Sequence, residues 1–332
     1  MGGEDVKTVV STPSVVETTT SNPLPFLPEE LIVKILLRLP VRSLLRFKRV
    51  CKTWKTLISD TKFAYNRFLN STAYPQLVAA QNREIKSYPI ESLLQNLSTT
   101  VTPVSFNTGH QDYIILSSCN GFLCLHDVYQ SCVRLWNPSI NWKSNSSPTF
   151  DWYEYEFLLY YGFGYDQVND KYKFLAVSIK NDYYGEIETI IYTFGENSCK
   201  NVQDFPRCPL NHKRLGIFVS GTLNWIVDES DGREEILSFD IENETYRQLL
   251  LPQHGYGVYS PGLYVLSNCI CVCASFIHSR WQLWMMKEYG VVESWTKLMS
   301  IPHENLLNRY SFQRMVLFFS WTHHLLNLFC IT

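Results

Sequence analysis

The sequence predicts a fold in two parts: a small all-α module of three short helices, followed by an all-β, propeller-like domain. Three observations predict it. Large apolar residues recur at helical spacing between Leu27 and Ser59. After about residue 113 the texture changes to short β-branched and aromatic runs separated by polar turn clusters. Within that second part a strand-and-turn pattern returns at a spacing in the forties to fifties.

The helical part is punctuated by proline. Pro28 suits the first turn of a helix, and Glu29 and Glu30 follow where the positive end of the helix dipole favours acids. Leu31, Ile32, Ile35, Leu36 and Leu39 then recur at helical spacing until Pro40 ends the run. A second run starts at Val41-Arg42-Ser43 and places Leu44, Phe47, Cys51, Trp54 and Ile58 on one apolar face. Eight basic residues (Lys34, Arg38, Arg42, Arg46, Lys48, Arg49, Lys52, Lys55) and not one Asp or Glu lie between Leu31 and Ser59. So short a block cannot bury all its large apolar side chains, and it reads as one half of an interface.

In the β part, residues 113–117 and 122–126 flank Cys119-Asn120-Gly121, and Asn-Gly is a strong signal for a two-residue hairpin turn. Further strand-like runs continue from residue 158 to residue 299. Aromatic strand ends stand at Trp136, Phe194, Phe239 and Trp284, separated by 58, 45 and 45 residues. A second set of strands, led by glycine or asparagine, reads NGFLCL, SGTLNWIV and SNCICVC. Several short strands at this period are what a β-propeller blade gives, although an irregular array of β-sandwiches gives something similar. The expected organisation is a disordered Ser/Thr-rich leader at 1–22, the helical module at 23–68, a connector at 69–112 and the β domain at 113–332. The pattern fades after Ile301-Pro302, and the C-terminal MVLFFSWTHHLLNLFCIT reads as an apolar tail. Since a propeller needs its final strands to close, either the blades are fewer or this end is truncated or miscalled.

Composition excludes several classes. A formal net charge of −2 argues against wholesale nucleic-acid binding. His323, His324 and Asn327 interrupt the C-terminal tail, which reads as a strand or a disordered end rather than a membrane anchor. No secretory signal precedes the ten scattered cysteines, so reduced thiols and a cytoplasmic or nuclear setting are expected. No phosphate-binding glycine loop, nucleophile elbow or His-Glu-x-x-His helix is present, and no catalytic residue, cofactor or metal is assigned. Cys269, Cys271 and Cys273 alternate and share one face of a strand, which suits core thiols better than a zinc knuckle.

Leu27-Pro28-Glu29-Glu30-Leu31, Ile35-Leu36-Leu37-Arg38-Leu39-Pro40-Val41, Ser43-Leu44-Leu45-Arg46-Phe47-Lys48, Val50-Cys51-Lys52 and Trp54 resemble an F-box almost without a gap. The later segments NGFLCL, LWNPS, GFGYD, DKYKFLAV, GTLNW, ILSFD and SWTKL resemble, in this order, the F-box-associated, kelch-like region of the large plant F-box family. The resemblance implies the substrate-recognition subunit of an SCF-type ubiquitin ligase. The F-box would grip a Skp-type adaptor, and through it the cullin and RING subunits. The β domain would hold a target protein of unknown identity, and ubiquitination would follow from proximity without bond chemistry in this chain.

Under that resemblance the adaptor-binding candidates are Leu27, Pro28, Leu31, Ile35, Leu36, Leu39, Pro40, Leu44, Phe47, Val50, Cys51 and Trp54, a mixture of contact and support. The family's adaptor is acidic, so the basic face would steer encounter and orientation more than affinity. Target-binding candidates are the aromatic residues Trp152, Tyr153, Tyr155, Tyr183, Tyr184, Tyr256 and Tyr259 in the segments 151–155, 182–184 and 254–259. The alternative is a non-degradative or truncated F-box protein that binds the adaptor without delivering a substrate. A DNA-reading three-helix module is disfavoured, because Leu and Pro occupy the face where base-reading Arg, Asn and Gln would stand.

Overall fold

The computed structural model describes Gly2 and residues 27–39, 41–69, 76–81, 84–89, 104–107, 112–138, 140, 142–150, 158–179, 187–206, 214–228, 234–252, 258–266, 268–276, 280–302 and 328–331. Four helices come first: α1 (Glu29–Leu37), α2 (Val41–Phe47), α3 (Lys52–Ile58) and α4 (Thr61–Leu69). Pro28 stands just outside α1 as its N-cap, and its carbonyl accepts from the amides of Leu31 and Ile32 at 3.0 and 3.2 Å. Each helix contributes one side chain to a small common core of Leu36, Leu44, Ile58 and Phe63. The fourth helix exceeds the three expected. Asp60 starts it by accepting the amides of Lys62 and Phe63 at 2.8 and 3.2 Å. Arg67 on α4 reaches back and donates to the carbonyls of Leu37 and Leu39, at 3.1 and 2.7 Å, where α1 has run out of amides.

Among the described residues the strands form three four-stranded antiparallel sheets and one eight-stranded sheet made of two such four-stranded meanders joined side by side, which gives five blades. Blade 1 holds β1 (Gln76–Gln81), β2 (Glu84–Pro89) and β3 (Val104–Asn107). Blade 2 is β4 (Tyr113–Cys119), β5 (Phe122–Asp127), β6 (Cys132–Asn137) and β7 (Trp142–Lys143). Blade 3 is β8 (Leu158–Asp166), β9 (Lys171–Ile179), β10 (Ile187–Thr193) and β11 (Cys199–Asn201). Blade 4 is β12 (Arg214–Val219), β13 (Thr222–Asp228), β14 (Glu234–Asp240) and β15 (Thr245–Leu249). Blade 5 is β16 (Val258–Leu266), β17 (Cys269–Phe276), β18 (Arg280–Met286) and β19 (Trp295–Pro302). The last strand, β20 (Leu328–Ile331), pairs antiparallel with β1 and completes blade 1 from the other end of the chain.

One expectation changes here. The stretch expected to connect, 69–112, carries three strands of blade 1, while the C-terminal tail, expected as a strand or a disordered end, supplies that blade's first strand at Leu328–Ile331. The β region therefore starts at Gln76 and not near residue 113. QLVAAQ and EIKSYP are short and poor in aromatics, and β1 takes its second neighbour, β20, from the far end of the sequence, so local pattern announces them weakly.

The remaining repeat reads as expected. Trp136, Phe239 and Trp284 lie on the third strands β6, β14 and β18, and Phe194 directly follows β10. Asn120-Gly121 and Ser220-Gly221 turn β4 into β5 and β12 into β13, with φ of 50° and 77° in both pairs. Positive φ at both central residues is the primed hairpin turn that matches strand twist.

Apolar clusters fill the spaces between successive blades. Ile115, Leu123 and Trp136 join Val78 and Ile85 between blades 2 and 1. Phe122 and Leu135 meet Phe163 and Phe174 between blades 2 and 3. Tyr160 and Val177 meet Trp225 and Phe239 between blades 3 and 4. Ile226 and Ile236 meet Val272 and Met286 between blades 4 and 5. Cys271 and Cys273 lie with Trp281 on the other face of blade 5, and burial pushes the Cys271 thiol up to about 12.

Blades 3 and 4 are also joined directly. β8 and β12 pair in parallel, with Gly162 opposite Gly216. A Cβ on Gly216 would lie 2.5 Å from the Trp225 indole, and one on Gly162 would lie 2.7 Å from Leu223. Only glycine lets the two blades approach this closely while a Trp fills the space beside them. The parallel pairing also shows that the first strands of these blades run the same way.

Candidate functional site

The four-helix module presents an apolar stripe to solvent. Leu27, Leu31 and Ile35 follow one another at intervals of four along the start of α1, with 44, 44 and 51% of their surface exposed. Leu45 and Val50, at the end of α2 and just beyond it, are 37 and 63% exposed. Pro28 and Cys51 are exposed too. Cys51 is the N-cap of α3, where its Sγ accepts the Trp54 amide at 3.4 Å. Around these residues lie the exposed cations Lys34, Arg38, Arg46, Arg49, Lys52 and Lys55.

The structure thereby sorts the sequence candidates. Leu36 and Leu44 are 1 and 0% exposed and belong to the module's own core. Leu39, Phe47 and Trp54 are half-buried against that core, and the rings of Phe47 and Trp54 meet edge to face at 5.2 Å. These five side chains support the surface instead of forming it. Leu27, Pro28, Leu31, Ile35, Val50 and Cys51 remain at the surface. Pro40 lies outside the described residues. Leu45 was missed, because it stands off the 44-47-51-54-58 stripe that sequence spacing picks out.

The module is seated on the β domain. Ala64 of α4 is buried among Cys119, Phe122, Tyr165 and Tyr172, and the ring of Tyr65 stacks on Tyr165 with centroids 4.8 Å apart. Lys48 donates to the carbonyl of Ile140 at 3.1 Å, and burial followed by the nearby charge of Lys55 holds its ammonium below the ordinary lysine value. Tyr165 is next to last in β8, Asp170 lies between β8 and β9, and Ile140 lies between β6 and β7. In an antiparallel four-stranded meander, the connections between strands 1 and 2 and between strands 3 and 4 share one end. The helical module sits at that end.

Trp152, Tyr153, Tyr155, Tyr183, Tyr184 and Tyr256 lie outside the described residues, and of Tyr259 only the backbone, near the start of β16, is described. The described strand ends that bracket them are informative. Residues 151–157 lead from blade 2 into β8, residues 180–186 join β9 to β10, and residues 253–257 lead into β16. All three join strand ends on the face opposite the helices. Among the described residues no group of three or more His, Cys, Asp or Glu side chains is placed to hold a metal ion. No helix there is long and apolar enough to cross a membrane.

Comparison with known proteins agrees with this division. The F-box domain family matches residues 24–66, and the F-box associated beta propeller domain family matches residues 76–330. The F-box/kelch-repeat protein At3g23880 of Arabidopsis thaliana is 34% identical over 290 residues, covering 83% of this chain and 79% of its own length. From the same plant, the putative F-box protein At3g10430 is 30% identical over 237 residues, covering 67% of this chain and 61% of its own length. The F-box protein CPR1 is 24% identical over 322 residues, covering 88% of this chain and 77% of its own length.

Proposed function

Since this chain belongs to the plant F-box family with an F-box-associated β-propeller, we propose that it is the target-binding subunit of an SCF-type ubiquitin ligase. An F-box implies Skp-type adaptor binding in general, and the paired F-box and propeller fit a substrate receptor. The observation that carries the reading for this chain is the solvent-facing row of Leu27, Leu31, Ile35, Leu45 and Val50 within a basic surround. Uncovered side chains of this size gain roughly 1.5–3 kcal/mol each on full burial. An acidic partner with an apolar groove would take up both features.

In this reading the chain breaks and forms no bonds. The propeller face opposite the F-box holds the target, and tethering raises the effective concentration of target lysines near the conjugating enzyme. The segments 151–157, 180–186 and 253–257 are the first places to seek target contacts. The setting is cytoplasmic or nuclear.

Reconstitution tests this. The full chain should co-purify with a Skp-type adaptor and a cullin, and Leu31→Ala/Val50→Ala should lose both while retaining any target bound to the propeller. In the assembled ligase, ubiquitin should pass to that target and not in the double variant. Full-strength adaptor binding by the double variant would reject the assigned surface. Adaptor and cullin binding without ubiquitin transfer would instead mark a non-degradative F-box protein.

A further inference from the structure

Helix α4 belongs to two cores at once. Phe63 closes the helical module's core with Leu36, Leu44 and Ile58. The next two residues turn the other way: Ala64 is buried in the cluster between blades 2 and 3, and Tyr65 packs against it. Arg67 ties the same helix to the end of α1. A helix shared in this way cannot let one body tilt without opening an apolar contact on the other.

The receiving side is equally braced. The Tyr65 and Tyr165 rings stack at 29°, and the Tyr165 hydroxyl donates to Asp170. Lys62 of α4 approaches the same carboxylate at 3.9 Å, an exposed pair that orients more than it stabilises. Directly before the turn that holds Asp170, Asp166 is buried and paired with Lys173 at 2.9 Å. Lys173 also donates to the Ile241 carbonyl of blade 4 at 2.9 Å and meets Glu244 at 3.4 Å. The connection between β8 and β9 is therefore fastened to the F-box on one side and to the next blade on the other.

We infer that Tyr65 is a positioning residue: by clamping α4 to the β8–β9 connection, it fixes the angle between the adaptor-binding stripe and the opposite face of the propeller. The consequence for ubiquitin delivery rests on the proposed ligase reading, but the clamp itself does not. It implies a fixed reach between adaptor and target, so that only lysines within a narrow zone meet the conjugating enzyme.

The test uses the full chain, free and adaptor-bound. Hydrogen–deuterium exchange on the free chain follows the α4 amides, and small-angle scattering on the adaptor complex follows the breadth of inter-domain arrangements. Tyr65→Ala should raise α4 exchange at least tenfold and broaden the scattering profile, with adaptor Kd within twofold of the parent. Tyr65→Phe, which keeps the stacked ring, should behave as the parent. Lys48→Met, which removes the bond to Ile140 and leaves the Tyr65 stack in place, should raise α4 exchange by a smaller factor and guards against misfolding of the alanine variant. Unchanged exchange or scattering in folded Tyr65→Ala, or α4 amides in the parent no slower than in an unfolded peptide, would overturn the inference. A parent chain that binds no adaptor would remove the ligase reading, while the exchange measurement on the free chain would still decide the clamp.

Discussion

Consider removal of the exposed stripe by the triple change Leu31→Ala/Ile35→Ala/Val50→Ala. The three side chains leave 44, 51 and 63% of their surface to water. Full burial of such a side chain is worth roughly 1.5–3 kcal/mol, so covering the exposed fractions is worth about 2–5 kcal/mol in sum. Adaptor Kd should therefore rise by roughly 30-fold to a few thousand-fold. Folding should barely notice, because surface substitutions away from buried contacts usually stay within about 0.5 kcal/mol each. Leu36→Ala and Leu44→Ala supply the contrast. Both side chains are essentially sealed from water, and truncation there costs about 2–5 kcal/mol of stability through transfer and cavity terms. Calorimetric titration with the purified adaptor and thermal unfolding of the free chain read the two quantities separately. If the triple variant lowers Tm as far as Leu36→Ala does while binding the adaptor at parental strength, the division between surface and core is wrong.

Other expectations follow from packing and charge. Gly216→Ala puts a methyl group 2.5 Å from the Trp225 ring, an overpacking that should cost about 1–3 kcal/mol and appear as a lower urea midpoint. Lys173→Met strands the buried Asp166 carboxylate at a cost of roughly 3–5 kcal/mol, and adding Asp166→Asn should restore at least half of it in a double-mutant cycle. Burial pushes the His126 imidazole down to about 4, against a smaller upward pull from Asp127. Between pH 6.5 and about 4 the unfolded chain then takes up a proton that the folded chain refuses. Stability should fall by up to about 3 kcal/mol across that window, and His126→Gln should flatten the pH profile of the unfolding midpoint. Asp166 acts lower on the scale. Burial raises its carboxyl, but bonds from Asn169 and Lys173 outweigh this and hold it below the ordinary aspartate value, so its contribution disappears only as pH falls through that depressed value.

The helices and four of the five blades are legible in the sequence because their signals are local. Helical spacing finds α1 to α3, and the Asn120-Gly121 turn and the aromatic ends at Trp136, Phe239 and Trp284 find blade strands. What escapes is what depends on partners remote in sequence. β20 is a strand because β1 lies beside it, and TKFAYNRFL is a helix whose apolar residues are divided between two different cores. The site divides in the same manner. Spacing identifies which residues lie on an apolar face, but it cannot say which part of that face another helix already covers. Leu36 and Leu44 therefore looked as available as Leu31 and Val50, and Leu45 was passed over for standing off the stripe.

The placement of α4 also bears on how, under the proposed function, one chain would serve two partners. The two-residue turns Asn120-Gly121 and Ser220-Gly221 both lie at the end that receives the helices. A turn of two residues in the primed conformation has little length to vary, since both positions require positive φ. The connections 151–157, 180–186 and 253–257 on the opposite face are all longer than two residues. Turns of fixed length suit a fixed helical module seated on them. Variable connections are what a recognition surface needs, because insertions there leave the strand register untouched. Under the proposed function, sequence change in these connections can thus proceed without moving the exposed apolar stripe, provided the Tyr65–Tyr165 contact holds α4 on blade 3 and the Gly162–Gly216 join holds blade 3 to blade 4.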